Sequence, residues 1–79
     1  IQLFQRKIGF SARESVIAGR LRTIQEENSD CSIGSYPRYD ESPRLILTVE
    51  GHDEQRVEEV ATILSQDFEE FLWDGNNSN

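Results

Sequence analysis

The chain has 79 residues, 35% of them apolar, and a formal net charge of −7. That length allows one domain whose single core only just offsets chain entropy, and a lone cysteine, Cys31, excludes an internal disulfide and points to a reducing, cytoplasmic setting. No apolar run approaches the ~20 residues that cross a bilayer, Ile1 to Lys7 lacks the apolar centre of a signal peptide, and the acidity opposes binding to a phosphate backbone.

The charge is unevenly placed. From Ile1 to Val49 seven basic residues stand against six acidic ones, whereas from Glu50 onward Arg56 alone faces nine carboxylates. Such a run reads as the solvated face of one helix. The chain starts at Ile1 rather than a methionine, so a segment of something longer is expected.

In chain order, Gln2 to Phe10 sets Leu3, Phe4, Ile8 and Phe10 around Arg6 and Lys7, an alternation suited to a first strand, with Gly9 placed for a bend or bulge. Ser11-Ala12-Arg13-Glu14 has the form of a capping box. Behind it Val16, Ile17, Leu21 and Ile24 recur at helical spacing, which predicts a helix from Ala12 to about Glu27, ended by Asn28-Ser29-Asp30. Cys31 to Tyr36 is too short for a helix and predicts a second strand. Pro37 cannot donate to a ladder, and the Asp, Glu, Ser and Pro content of Arg38 to Pro43 makes a loop.

Arg44 to Glu50 alternates Leu45, Leu47 and Val49 against Ile46, Thr48 and Glu50, a clear third strand. Gly51-His52-Asp53 turns, with Asp53 as N-cap and Glu54 complementing the helix dipole. Val57, Val60, Ala61, Leu64, Phe68, Phe71 and Leu72 then form one stripe, which predicts a single helix from Asp53 to Trp73. Asp74 to Asn79, with Gly75 and a run of Asn and Ser, reads as a disordered tail.

The order β-α-β-β-α predicts an α+β domain over residues 1–73: a three-stranded sheet with two helices packed on one face and the other face left open. The second and third strands should form an antiparallel hairpin. If the first lies parallel to its partner, its crossover helix should be right-handed.

Candidate chemistry is sparse. His52 is the only histidine, without a second ligand at metal spacing, and reads as a surface turn residue. Cys31, at a strand start with no histidine near it in sequence, reads as a small buried hydrophobe. The five glycines lie too far apart for a phosphate loop. Arg13 and Arg20, two turns apart on the first helix, form a candidate patch for a phosphate or an acidic partner. The acidic helix of a second copy would complement it in a head-to-tail homodimer.

The stretch Ser15-Val16-Ile17-Ala18, then Ile33-Gly34-Ser35-Tyr36-Pro37, an alternating strand, and Gly51-His52-Asp53-Glu54 opening a helix resembles the C-terminal part of the molybdopterin-binding-like region of eukaryotic FAD synthases. It is also similar to the KH-like module of CinA-type proteins. The resemblance implies a non-catalytic accessory or interdomain module beside a molybdopterin-binding-like domain, with no cofactor bound by this chain alone and FAD or ADP-ribose handled through the parent protein. In that setting Gly34, Ser35, Tyr36, Pro37 and Arg38 would lie next to a nucleotide held by the neighbour. A second reading gives these residues a direct part in FAD or ADP-ribose binding or pyrophosphate hydrolysis, which would need a metal and carboxylates beyond Asp40 and Glu41. A third, single-stranded nucleic-acid binding, lacks the Gly-x-x-Gly clamp of KH domains and has the wrong net charge.

Overall fold

The alternation around Leu47 builds the centre of the molecule. In the computed structural model, which describes residues 2–77, Leu45, Leu47 and Val49 have no exposed surface, while of the residues between them Ile46 is half-buried and Thr48 is buried. Their strand, β3 (Leu45–Gly51), is flanked by β1 (Phe4–Phe10) and β2 (Ser32–Pro37), both antiparallel to it, in the order β1-β3-β2. With α1 (Glu14–Glu27) and α2 (Glu54–Asp67) the chain runs β-α-β-β-α, the expected α+β fold. β2 and β3 form the expected hairpin. β1 and β2 run in the same direction with β3 between them, so the crossover through α1 joins strands that do not pair and the fold is a split β-α-β unit.

Register sorts the side chains into two faces. Phe10, Leu45 and Pro37 stand abreast, as do Ile8, Leu47 and Ser35, on the side that takes the helices. Ile17 and Ile24 of α1 and Val57, Val60, Ala61 and Leu64 of α2 close the core there. Val57, Val60 and Leu64 are each exposed by 1% or less, and such burial contributes roughly 1.5–3 kcal/mol apiece. The opposite face carries Gln5, Lys7, Ile46, Thr48, Gly34 and Tyr36 and has no helix over it.

The Ser11 to Glu14 capping box does not form. Arg13 is the N-cap, extended at φ −75° and ψ 150°, and no side chain caps the first turn. The motif needs the glutamate to reach back to the serine N–H. Here that N–H donates to Phe71 O at 2.7 Å, and the Glu14 carboxylate accepts from the Ser35 hydroxyl. The helix therefore begins at Glu14 rather than Ala12. Val16, expected on the core stripe, is 61% exposed, because it sits roughly 100° around the helix from Ile17. At the other end Asn28 Nδ2 donates to Ile24 O at 2.9 Å and closes the last turn.

Asp53 caps α2 as expected, its Oδ1 accepting from Gln55 N at 3.0 Å and Arg56 N at 3.4 Å. The single helix expected to reach Trp73 stops at Asp67. Phe68 turns into the core and meets Phe10 edge to face with centroids 6.0 Å apart. After a 3₁₀ turn at Glu69–Phe71 the chain runs along the outer edge of β1, where Phe10 bridges Leu72 and Trp73 N–H donates to Gly9 O at 3.1 Å. The open backbone groups of that edge offer partners that another helical turn would leave unmet.

The tail expected to be disordered from Asp74 is docked instead. Asp74–Asn77 forms a second 3₁₀ turn, and the Asn76 amide accepts from Gly9 N at 2.8 Å and donates to Gly9 O at 2.7 Å. Ser78 and Asn79 lie outside the described residues. No bulge occurs at Gly9, since pairing is unbroken from Phe4 opposite Gly51 to Phe10 opposite Leu45. Glycine is required there for close approach: a Cβ would sit 2.7 Å from Pro43 Cγ and 3.0 Å from Trp73 Cε3. Among the described residues no helix is long and apolar enough to cross a membrane.

Candidate functional site

The first turn of α1 and the loop from β2 to β3 enclose a cleft of about 600 Å³ lined by Arg13, Glu14, Ser15, Pro37, Arg38, Tyr39, Asp40 and Arg44. Its shape follows from the loop. Arg38 N–H donates to Arg44 O at 2.8 Å, which closes the loop base and sets the two arginines across from each other. Asp40 reverses the chain at φ 61°, a left-handed conformation that aspartate tolerates better than most residues. The reversal throws Tyr39 outward, and it is 84% exposed.

Arginines from the N-cap of α1 and from both ends of the β2–β3 loop thus line one opening. Arg38 is paired with Glu41, whereas Arg13 and Arg44 have no salt bridge among the described residues. Like charges facing each other across a ladder are unfavourable; Glu41 answers Arg38, and among the described residues Arg44 is left without a negative partner at the loop base. Glu14, which could have met it, is turned to Ser35. The first turn of α1 adds the positive end of its dipole, with no side-chain cap on its amides.

The residues expected beside a nucleotide are split by the strand pleat. Gly34 and Tyr36 lie on the open face, where the Tyr36 ring folds back over Gly34: a Cβ there would meet Tyr36 Cε2 at 3.0 Å and Thr48 Oγ1 at 2.7 Å. Ser35 points to the helix side and holds Glu14. Pro37 and Arg38 reach the cleft. Arg13 joins them, but Arg20 does not share its patch, because its Nη2 and Nε donate to Asp67 Oδ2 at 2.7 and 3.0 Å and tie α1 to the end of α2. Tyr39 and Arg44 are the cleft residues that sequence reasoning did not single out. The signal for Arg44 was its place as the loop's last residue, opposite its first.

A second polar cluster is structural. Arg56 donates to Asp30 Oδ2 at 2.7 Å and Oδ1 at 3.1 Å, to Glu59 Oε1 at 2.8 Å and to Asn28 Oδ1 at 2.9 Å, so one guanidinium locks α2 to the turn after α1. The fork holds the Asp30 carboxyl below its ordinary range, and these partners raise Arg56 in turn. Cys31 and His52, far apart in sequence, do line one shallow hollow of about 230 Å³. They do not make a nucleophile pair. The Cys31 side chain is buried, desolvation and then the Asp30 charge push its thiol up, and the His52 Nδ1 lies 2.8 Å from Gln2 O, to which it can donate. No cluster of three or more metal-ligating side chains occurs among the described residues.

A comparison with curated proteins returned no match. A family model described as the FAD synthase middle domain matches residues 2–75, nearly the whole described structure. The sheet, both helices, the arginine cleft and the strand-edge clasp by Trp73 all fall within that match, and the chain belongs to the family of the FAD synthase middle domain.

Proposed function

We propose that this domain is a non-catalytic accessory module of an FAD synthase-related protein, one that packs against a neighbouring molybdopterin-binding-like domain and orients it. The observation that carries the reading is the open sheet face. Gln5, Lys7, Tyr36, Ile46 and Thr48 line a hollow of about 220 Å³ on the side with no helix. The family description as a middle domain agrees with a neighbouring domain in the parent protein. Bond-breaking steps on FAD or ADP-ribose would then belong to the parent protein's other domains. The interlocked arginines agree with a scaffold, since Arg6 with Glu58, Arg20 with Asp67 and Arg56 with Asp30 each join separate elements.

The test joins the domain to the molybdopterin-binding-like domain of its parent and replaces Tyr36, 56% exposed on the open face, by alanine. The joined form should melt at a higher temperature than its separate parts, and Tyr36→Ala should erase that increment while leaving parent turnover measurable. Release of FMN or AMP from FAD by the isolated 79-residue chain would refute an accessory role.

A further inference from the structure

We infer that the cleft between α1 and the β2–β3 loop binds a nucleotide, its phosphate among Arg13, Arg38 and Arg44 and its base against Tyr39 and Pro37. The inference goes beyond the accessory role and stands independently of it, since an accessory module need bind no small molecule.

Several features converge on this ligand chemistry. Guanidinium forks match phosphate oxygens, and here the arginines come from the N-cap of α1 and the two ends of the β2–β3 loop, so the fold itself sets them around one opening. Arg13 and Arg44 have no ion-pair partner among the described residues, and Arg38 faces Arg44 across the loop base. A phosphate at Arg13 and Arg44 supplies the partner they lack. The first-turn amides of α1 add donors where no side-chain cap is present.

The cleft has room for more than a bare anion. About 600 Å³ lies within the range of small-molecule sites, which run about 300–1,000 Å³. Tyr39, 84% exposed beside two arginines, offers a ring on which a base can stack. Glu14 and Asp40 also line the cleft and Glu41 pairs with Arg38, so the three positive groups stand against three carboxylates (3 − 3), with Arg13 and Arg44 the two that lack an ion pair among the described residues. Two unpaired arginines can hold one compact phosphate group, whereas a polyanionic strand would be repelled by the acidic chain as a whole.

The test is an amide NMR titration of the chain with ADP at low salt. Saturable shifts should fall on Glu14, Ser15, Arg38, Tyr39 and Arg44. The double variant Arg13→Ala, Arg44→Ala should weaken binding by about tenfold or more, and Tyr39→Ala by about tenfold. These side chains are exposed, so the variants keep the dispersed spectrum of the fold. Arg20→Ala, outside the cleft, should bind like the parent. Adenosine and inorganic phosphate should each bind more weakly than ADP. No saturable shift with ADP, unchanged affinity in the double variant, phosphate binding as tightly as ADP, or preference for a single-stranded oligonucleotide would each overturn the assignment.

Discussion

Replacing Gly9 by alanine tests the account of how β1 is covered. A Cβ at this position would sit 2.7 and 2.9 Å from the Pro43 ring and 3.0 Å from the Trp73 indole. Pro43 is buried and cannot swing aside as a flexible chain end would. Forcing extra volume into a filled site costs roughly 1–3 kcal/mol. Alanine recovers roughly 0.5–1 kcal/mol through the lower entropy of its unfolded chain, leaving a net loss of about 1.3 kcal/mol at the middle of these ranges. For a domain of this size each kcal/mol moves Tm by roughly 4–8 °C, so Tm should drop by roughly 5–10 °C. Thermal unfolding followed by far-UV circular dichroism reads the global change, and Trp73 emission reads the contact itself. A variant whose Tm equals or exceeds that of the parent would refute the close-approach argument.

The opposite sign is expected at Gly19, inside α1, where a Cβ would meet nothing within 4 Å. Gly19→Ala should raise stability by roughly 0.5–1 kcal/mol in urea unfolding, and a decrease would show that something crowds that surface. The Asp30 carboxyl is held below its ordinary value of 3.8 by the Arg56 fork, so its stabilising contribution is full above that value and is lost as pH falls through the lower folded one. Urea midpoints measured downward from neutral pH should therefore fall more steeply on the acid side for the parent than for Arg56→Gln, and equal slopes would refute the linkage. Cys31 is 3% exposed and its thiol is pushed up, so an aromatic disulfide reagent at pH 8 should label it only as fast as the domain opens. Labelling at the rate of a free thiol would contradict the burial.

What could be read in the sequence was what periodicity encodes locally. Leu45, Leu47 and Val49 announce a half-buried strand, and Ile17, Leu21 and Ile24 announce a helix face, because side chains two or three to four apart share a side whatever the rest of the chain does. What could not be read was competition from far along the chain. Ser11 and Glu14 have the right identities for a cap, yet the Ser11 N–H goes to Phe71, sixty residues away. The stripe through Phe71 and Leu72 continues at helical spacing although the backbone there pairs with β1. At the cleft, Arg13 and Arg38 were noticed for separate reasons, and only the loop closure between Arg38 and Arg44 brings the third arginine to them.

The clasp along β1 limits how this domain can meet anything else. Strand addition needs a run of unmet N–H and C=O groups. On the β1 side Phe71, Trp73 and Asn76 already satisfy Ser11 and Gly9. On the β2 side the Gln25 side chain donates to Cys31 O at 2.8 Å and accepts from Ile33 N at 2.7 Å, imitating a neighbouring strand, and Pro37 has no N–H to give. Only a short stretch around Ser35 is left between them. On the β1 edge the Gln5 and Lys7 backbone groups, which share the outward side with Gly9, have no such clasp among the described residues, so strand addition is confined to that short stretch and to Ser35. Side chains on the faces therefore offer the larger contact surface, where substitutions can tune contacts without disturbing the backbone.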